Sequence, residues 1–495
     1  MFKDAGSAEI DRVMQKAWWA FHKYRKMSLK QRVDFMRAIA VQMDALGDQL
    51  LQTAQSETNL PEQRLRGERA RTIFQLQSYA DACERGDWLE ARIDTANPAK
   101  NPPKPDLRKM LIPLGPVVVF GASNFPFAYS TAGGDTACAF AAGCPVIVKA
   151  HPAHAETSEL VAQAIFKAAK EKNMPDGIFA HVHGAGFETG KSLVTHSHTK
   201  AVGFTGSYGG GKALFDWANQ RKEPIPVFSE MGSINPVFLL PEKLHQSAAE
   251  IAKLYAGSIT LGTGQFCTNP GLIIGVDGND LNQFISMLGN EIKLVAPGTM
   301  LHPGIAKAYK EKRETAIAQP DVETVAISTT NPADNQGVPT LASASGKAFL
   351  NNPVLHQEVF GPYSIIIRCR DMNEMIEVAK HTEGQLTSTL MATPNDILTH
   401  DELVEAVKNI CGRFILNGVP TGVEVCLSMQ HGGPFPATTD SRFTSVGADG
   451  IKRFARPMSF QNWPDELLPD ELKNANPLQI WRTVNDQLTK EAVKS

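Results

Sequence analysis

The amino-acid sequence predicts an α/β protein with a doubly wound parallel sheet of Rossmann type, followed by a second α/β domain. From residue 114 onward, short apolar runs typical of buried strands alternate with amphipathic helical segments. The chain has 495 residues, of which 42% are hydrophobic and 20% are charged. This composition is ordinary for globular proteins, and the length corresponds to two or three domains of roughly 150 residues.

The first third of the chain is predicted to be helical. Ser28 and Gln31 have the spacing of a capping box, which indicates the start of an amphipathic helix that we expect to end near residue 59. Residues 62–84 predict a second helix. Four arginines crowd its start, namely Arg64, Arg66, Arg69 and Arg71. The proline-rich segment 97–105 indicates a loop between two extended pieces.

The central part of the chain predicts the doubly wound sheet. Strands are expected at 117–120, 145–148, 178–182 and 201–205. Helices are expected at 132–142, 155–172 and 188–195. A second α/β stretch runs from a strand at 235–240 to one at 414–417. In such folds ligands bind at the carboxyl ends of the strands, so the loops after these strands are the first place to look for a site.

Charge and apolar patterning exclude several classes of function. The formal charge is −3 with a pI near 6.5, and no basic cluster suited to a nucleic-acid backbone is present. The longest apolar run, 137–148, is far shorter than the roughly 20 residues that span a bilayer. The N-terminal residues show no apolar signal segment, and the seven cysteines are typical of reduced thiols, so we expect a cytoplasmic protein.

Three polar side chains follow predicted strands or lie in turns suited to chemistry. Cys267 lies in the polar, turn-prone segment 262–270, and a loop leading into a helix would make this thiol accessible and partly ionised. Glu230 precedes a glycine turn, and an exposed loop glutamate is the alternative interpretation. Asn124 comes directly after the strand at 117–120, where ligand-binding side chains belong.

The glycine-rich segment 206–212 follows a predicted strand and opens a helix. It matches most of a phosphate-binding loop, but Ala213 stands where a magnesium-binding Ser or Thr would be, which argues against an ATPase. A glycine turn whose helix begins at Ser207 can instead offer free N–H groups to a pyrophosphate.

Two His-x-His pairs, His181/His183 and His196/His198, could each place two imidazoles on one side of an extended segment. No carboxylate or cysteine cluster at metal-ligand spacing accompanies them in the sequence, so surface or loop histidines are favoured. A Gly-x-Ser-x-Gly motif is also absent from the sequence, which argues against a serine hydrolase. We expect no metal site.

Together, these segments resemble the aldehyde dehydrogenase superfamily, in order and spacing, over nearly the whole chain. Segments 149–154, 229–233 and 429–434 are similar to the branch that holds α-ketoglutaric semialdehyde dehydrogenases and NADP-linked fatty aldehyde dehydrogenases. The resemblance implies that Cys267 is the nucleophile, Glu230 the general base and Asn124 the oxyanion donor.

The resemblance also implies a cofactor site and a substrate side. The cofactor would contact Lys149, His151, Gly206, Ser207, Glu358 and Phe360. The substrate side would include Arg69, Arg71, Phe125 and His431.

The chemistry accounts for these residue types. A thiolate adds to the aldehyde carbon, amide donors stabilise the oxyanion, and loss of hydride to the nicotinamide leaves a thioester. A carboxylate in a partly apolar pocket, with its pKa raised toward neutrality, would activate the hydrolytic water.

Cofactor and substrate choices follow from two features. Pro152 occupies the position where the superfamily usually carries a glutamate that repels a 2′-phosphate, so NADP is the favoured cofactor. Lys149 or His151 would contact the 2′-phosphate, and NAD remains the alternative cofactor. Arginines in the 62–84 helix could grip a carboxylate. The favoured reaction is therefore oxidation of 2,5-dioxopentanoate (α-ketoglutaric semialdehyde) to 2-oxoglutarate, with a fatty or general aliphatic aldehyde as the alternative.

Two other functions compete with this hypothesis: a CoA-acylating enzyme, against which Glu230 argues, and a non-catalytic family member. The predicted domains are 1–87 with 114–230 for the cofactor and 231–454 for catalysis. Residues 88–113 and 455–495 are expected to form a small β oligomerisation arm and a tail that build a homodimer or homotetramer.

Overall fold

The computed structural model describes residues 2–493 of the chain. Its helices are α1 Ser7–Tyr24, α2 Leu29–Asp44, α3 Gly47–Thr58, α4 Glu62–Arg85, α5 Gly134–Ala142, α6 Ala155–Glu171, α7 Phe187–Thr195, α8 Tyr208–Asn219, α9 Pro241–Thr260, α10 Asn279–Leu294, α11 Pro303–Ile317, α12 Gly346–Asn351, α13 Met372–His381, α14 Pro394–Thr399 and α15 Asp401–Lys408.

The strands are β1 Arg92–Asp94, β2 Leu107–Pro113, β3 Val117–Phe120, β4 Val146–Lys149, β5 Phe179–Val182, β6 Ala201–Thr205, β7 Val227–Glu230, β8 Val237–Leu239, β9 Leu272–Val276, β10 Gly298–Thr299, β11 Val322–Ile327, β12 Gln336–Gly337, β13 Thr340–Ser345, β14 Tyr363–Cys369, β15 Gln385–Met391, β16 Cys411–Leu416, β17 Ala455–Gln461, β18 Arg482–Val484 and β19 Gln487–Thr489.

The first large sheet has the order β5-β4-β3-β6-β7, and all its neighbours are parallel. β3 is buried along its whole length, as expected for a central strand with helices on both faces. In chain order the strands run 3-2-1-4-5, so the order reverses at β3 and ligands bind at the carboxyl edge there. The predicted doubly wound fold is confirmed.

The second large sheet has the order β11-β13-β14-β9-β8-β15-β16. Its strands are parallel except for the antiparallel pair β11 and β13. Separate apolar clusters pack against its two faces, one including Phe238 and Ile274 and the other Val237 and Ile273. Because successive side chains of a strand point to opposite faces, these neighbours in sequence belong to different cores.

A third sheet joins two segments that are far apart in the sequence. Its order is β17-β2-β1-β18-β19, and β2 pairs antiparallel with β17 from Leu107↔Gln461 to Pro113↔Ala455. Its strands come from residues 92–113 and 455–489, which contribute no strand to the other sheets.

The N-terminal region differs from the prediction in one respect. The capping box is confirmed, because the Ser28 hydroxyl accepts the Gln31 N–H and the Gln31 side chain accepts the Ser28 N–H. The single helix expected to end near residue 59 is wrong, since α2 and α3 are separate. Gly47 has a φ of +57°, a left-handed conformation that glycine tolerates and a continuing helix excludes.

Helix α4 matters most for the site. Leu65, Leu76 and Tyr79 are fully buried and anchor it in the core formed with α2 and α5.

Across residues 2–493, no helix combines the length and the apolar character that crossing a bilayer requires.

Candidate active site

A compact cluster joins three side chains from distant parts of the chain. Glu230 ends β7, Cys267 lies in the turn before β9, and His431 lies between β16 and β17. His431 Nε2 is 3.0 Å from Glu230 Oε1 and 3.7 Å from Cys267 Sγ. One ligand-type atom from each residue lies within 4.8 Å of the others. The structure therefore brings a thiol, an imidazole and a carboxylate within reach of proton transfer.

Glu230 is held in its ionised form. The residue is 3% exposed, and its second carboxylate oxygen accepts a hydrogen bond of 2.6 Å from the Ser445 hydroxyl. Burial acts to raise the pKa of Glu230, but His431 and the hydrogen bonds from His431 and Ser445 outweigh it and bring the pKa below its usual value. The expectation of a pKa raised toward neutrality is therefore wrong, because it counted burial without these donors.

Cys267 is partly exposed and carries a neutral thiol at rest. Burial of the sulfur and the nearby Glu230 carboxylate raise the pKa of Cys267 well above its usual value, while Arg71 opposes the shift. The expected helix after the cysteine is wrong: the chain passes through Pro270 into β9. Without a helix dipole to stabilise a thiolate, ionisation needs a neighbouring base.

The turn that carries Cys267 is fixed by Asn235, which the sequence analysis missed. Asn235 is fully buried, and its amide donates to the carbonyls of Cys267 and Asn269, each at 2.9 Å. Gln385 in turn accepts the backbone N–H of Asn235 at 3.0 Å. These bonds fix the position of the sulfur relative to β8 and β15.

Asn124 lies just beyond β3, as the sequence predicts, in a loop that α4 holds in place. Its side-chain amide donates one hydrogen bond to the Gln265 carbonyl at 3.2 Å, which leaves its second N–H for another acceptor. Arg64 donates to the Asn124 carbonyl at 2.7 Å, and Glu68 accepts the N–H groups of Phe127 and Ala128.

An aromatic and cationic wall lies beside the thiol, since Tyr129 and Arg71 are both close enough to Cys267 to interact with it electrostatically. Phe125 contacts the rings of Tyr129 and Phe266 edge-on, with centroids 5.2 Å and 5.9 Å apart. The Arg71 guanidinium lies over Tyr129 at 5.6 Å and donates to its hydroxyl at 3.3 Å. Arg71 Nε is buried without a partner among the described residues, so this guanidinium has an unused donor.

Arg69 and Arg71 take different directions from the same helix. Arg69 donates to the carbonyl of Gly47 at 2.8 Å, on the side of α4 that faces α3. The structure therefore brings Arg71, but not Arg69, to the wall around Cys267. The two residues from Arg69 to Arg71 correspond to a rotation of about 200° around the helix, so Arg69 points away from the substrate side on which the sequence places it.

A second arginine near this wall, Arg413 of β16, was not identified from the sequence. It donates to the carbonyls of Pro420 and Gly422, and its Nε is buried without a partner among residues 2–493. Burial lowers the pKa of Arg413, while Cys267 and Tyr129 are close enough to oppose the shift. Nothing local in the sequence marks this residue, which lies 146 positions after the cysteine.

Comparison with known proteins identifies the family. A sequence profile of the aldehyde dehydrogenase family matches residues 1–435. The chain belongs to the aldehyde dehydrogenase family.

Two curated relatives are alike along nearly their whole length. The chain is 48% identical to alpha-ketoglutaric semialdehyde dehydrogenase 2 of Azospirillum brasilense, covering 97% of this chain and 92% of the relative. It is 45% identical to alpha-ketoglutaric semialdehyde dehydrogenase of Acinetobacter baylyi, covering 99% and 93%. The structure of glyceraldehyde-3-phosphate dehydrogenase GapN from Methanocaldococcus jannaschii, complexed with NADP, aligns with a TM-score of 0.78 at 19% identity, covering 93% of this chain and 95% of that one.

Enzymes of this family are NAD(P)-dependent oxidoreductases, and the carboxyl edge of the first sheet offers this aldehyde dehydrogenase a fitting dinucleotide site. Ser207 is the N-cap of α8, where free N–H groups suit a pyrophosphate. Gly206 precedes it, and a Cβ there would lie 2.6 Å from the Phe204 ring. The Gly206 N–H also donates to the Glu230 carbonyl at 3.0 Å, which ties this turn to the end of β7.

Lys149 and His151 lie at and just after the end of β4. Lys149 is partly buried, and burial lowers its pKa. Burial, together with His154 and Lys149, holds the pKa of His151 well below its usual value. The imidazole is therefore neutral at neutral pH and brings no positive charge to a 2′-phosphate. Lys149 is therefore the cationic candidate for the 2′-phosphate, and the contact of His151 stays a prediction in which a neutral ring would donate an N–H.

Glu358 and Phe360 line a cavity that also contains Ser233 and Phe266. Glu358 packs so closely that a Cβ on Gly232 would lie 2.9 Å from its carboxylate oxygen. Burial raises the pKa of Glu358 to about 7, with Lys312 and the Ser233 N–H opposing the shift. This cavity adjoins the Cys267 turn through Phe266, so both predicted residues lie beside the site.

Proposed function

We propose that this aldehyde dehydrogenase oxidises 2,5-dioxopentanoate to 2-oxoglutarate, with NADP as the preferred cofactor and NAD as the alternative. The observation that carries the substrate proposal is the buried, unpartnered Nε of Arg71 in the aromatic wall facing Cys267. A guanidinium binds a carboxylate through paired N–H groups, so this wall suits an aldehyde that ends in an acid. The names of the two relatives support the same substrate.

The first step is attack of Cys267 on the aldehyde. The thiol proton passes to the ionised Glu230 carboxylate, and the thiolate adds to the carbonyl carbon to give a thiohemiacetal oxyanion. The free N–H of the Asn124 amide and the backbone N–H of Cys267 would stabilise this oxyanion. While Glu230 is ionised, a proton on His431 Nε2 is donated to its carboxylate at 3.0 Å, and this contact holds the carboxylate beside the sulfur.

Oxidation and hydrolysis follow at the same cluster. When bound, the nicotinamide dinucleotide supplies the hydride acceptor, and Lys149, Ser207 and Glu358 would hold it. The Cys267 thioester is then hydrolysed by water, whose proton goes to Glu230 once that carboxylate is ionised again. Its lowered pKa means that Glu230 returns to the base form at neutral pH.

The competing functions have less support. Phe125 and Phe266 would also accept an aliphatic chain, which keeps a general aliphatic aldehyde as the second candidate. A CoA-acylating enzyme is disfavoured because a buried, ionised Glu230 beside Cys267 would activate water in competition with the CoA thiol. The cofactor preference for NADP rests on Pro152, which puts no carboxylate at the position where one would repel a 2′-phosphate.

A homodimer or homotetramer is the proposed assembly. The third sheet has β17, a strand of seven residues, at one edge and the three-residue β19 at the other, and β17 exposes most of its residues. Exposed strand edges offer unpaired backbone groups to a second chain.

The test compares an acidic and a neutral aldehyde. Formation of the reduced cofactor is measured with 2,5-dioxopentanoate and with pentanal, each with NAD and NADP. The variants are Arg71→Met, the matched control Arg69→Met and Cys267→Ala. Loss of a charged hydrogen bond costs about 1.5–3 kcal/mol, so Arg71→Met should lower kcat/KM for the acidic aldehyde by about 10–150-fold and leave pentanal nearly unchanged.

Arg69→Met should behave as wild type with both aldehydes, and Cys267→Ala should abolish turnover. An equal loss for both aldehydes in Arg71→Met would contradict the carboxylate role. Turnover surviving in Cys267→Ala would contradict the nucleophile.

A further inference from the structure

A second cluster of ligand-type side chains lies in the first sheet, apart from Cys267. His181 is in β5, His183 follows that strand, and Glu159 comes from α6. Glu159 Oε2 is 3.0 Å from His181 Nδ1 and 3.3 Å from His183 Nε2. The sequence alone favours surface or loop histidines for this His-x-His pair, because no carboxylate at metal-ligand spacing accompanies it. The carboxylate comes from a helix 22 residues before His181, so only the fold reveals it.

The spacing of the three atoms suits a tetrahedral metal ion. Nitrogen and carboxylate ligands lie about 2.0–2.2 Å from Zn²⁺, so neighbouring ligands at a tetrahedral angle are about 3.3 Å apart. The observed separations of 3.0 and 3.3 Å match that edge, and the three atoms all lie within 4.8 Å of one another. Little side-chain movement would be needed to admit an ion.

The cluster is also held in place by its surroundings. Gln163 donates to the other oxygen of Glu159 at 2.7 Å, which orients the carboxylate. The ring of His183 stacks on Phe2, with centroids 4.0 Å apart and planes at 2°. Contacts of this kind keep metal-binding side chains oriented.

The cluster is buried around His181 but open to solvent at Glu159. The side chain of His181 is 2% exposed, whereas that of Glu159 is 34% exposed and faces solvent. Because the Glu159 carboxylate can only accept, the 3.0 Å contact places the proton of the metal-free ring on His181 Nδ1. A metal ion bound at Nδ1 would displace this proton to Nε2, which is buried without a partner among the residues described.

We propose that Glu159, His181 and His183 bind a divalent transition-metal ion, with solvent completing its coordination. Two imidazoles and one carboxylate are the ligands of zinc and of its first-row neighbours, whereas Mg²⁺ and Ca²⁺ prefer oxygen alone. The three protein ligands leave a fourth position toward the exposed side of Glu159. The proposal differs from the expectation drawn from the sequence, which includes no metal site.

Two charged side chains near the cluster affect how strongly it would bind a cation. Lys149, on the neighbouring strand β4, is close enough to act electrostatically on His183, so its ammonium opposes a metal ion. Asp4 lies close enough to Lys149 to offset part of that charge, and it accepts the N–H of Ala185 beside the cluster.

The second His-x-His pair, His196/His198, lacks the shared carboxylate that the first pair has in Glu159. His196 Nε2 is 3.3 Å from the carboxylate of Asp11, but His198 Nε2 faces Gln15 and its ring stacks on Trp18. That pair does not place two imidazoles on one carboxylate, so His196 is a suitable control position.

The test measures Zn²⁺ binding by calorimetry on the full chain, in a Cys267→Ala background. This background is needed because Glu230, Cys267 and His431 also bring three ligand atoms together. We expect one equivalent of Zn²⁺ per chain, with affinity reduced about tenfold or more by Glu159→Gln and by His183→Gln. His196→Gln should leave the affinity unchanged.

Two readouts separate binding from misfolding. Glu159→Gln and His183→Gln with Cys267 intact should keep wild-type turnover in metal-free buffer, which shows that they fold. Co²⁺ in the Cys267→Ala background should give the absorption of a four-coordinate nitrogen and oxygen site without a thiolate band. Absence of binding in Cys267→Ala, or equal affinity in Glu159→Gln, would overturn the proposal.

Discussion

Replacing Ser445 by alanine should move the acid limb of the pH–rate profile to higher pH. The Ser445 hydroxyl donates a 2.6 Å hydrogen bond to the Glu230 carboxylate in a site closed to solvent. A hydrogen bond to a charged group contributes about 1.5–3 kcal/mol, and one pKa unit corresponds to about 1.4 kcal/mol. Because only the ionised form gains from this donor, Ser445→Ala should raise the pKa of Glu230 by about 1–2 units.

The assay is kcat/KM for the acidic aldehyde as a function of pH. Activity that needs ionised Glu230 should be lost at a pH about 1–2 units higher in Ser445→Ala than in wild type, with the alkaline side unchanged. Ser229→Ala is the matched control, since Ser229 is also buried next to Glu230 but its hydroxyl has no partner among the described residues. Coincident acid limbs for Ser445→Ala and wild type would refute the reasoning, as would an equal shift in Ser229→Ala.

Two further predictions concern the oxyanion and the cofactor. Asn124→Ala should lower kcat by about 10²–10³-fold, because one oxyanion donor is lost, and stopped-flow measurement of the first turnover would show a slow acylation step; an unchanged first turnover would exclude this role. With the pKa of Glu358 at about 7, the carboxylate ionises as pH rises through neutrality, so the KM for the dinucleotide should fall over that range. Initial rates of Glu358→Gln should show no such trend, and a trend equal to that of wild type would assign the ionisation to another group.

Local features of the fold were predictable from the sequence because their causes are local. The capping box of Ser28 and Gln31 lies within one helical turn, and the all-apolar run of β3 can only be buried. Asn124 could be placed at the strand edge because a parallel sheet collects its strand ends there, whereas Glu230 was proposed from the resemblance of its segment to the family. The break between α2 and α3 was missed, although Gly47 marks it in the sequence.

Partners across the fold were not predictable, because no single sequence reveals them. Ser445 contacts Glu230 from 215 residues away, and the Gln385 side chain holds the backbone of Asn235 from 150 residues away. The distinction between Arg69 and Arg71 lay within reach. Arg71 is seven residues after Arg64, or about two helical turns, and thus shares its face, whereas Arg69 does not.

The shared face of α4 has a consequence for how new specificities can arise. Arg64 and Glu68 hold the loop of Asn124, and Arg71 lies one turn further along the same rigid helix. A shift of this helix that re-shapes the wall around Cys267 would also displace the Asn124 amide that catalysis needs. Evolution and engineering should therefore alter selectivity by exchanging the side chain at Arg71, or by changing Arg413 in β16 of the second large sheet, while the position of the helix itself stays unchanged.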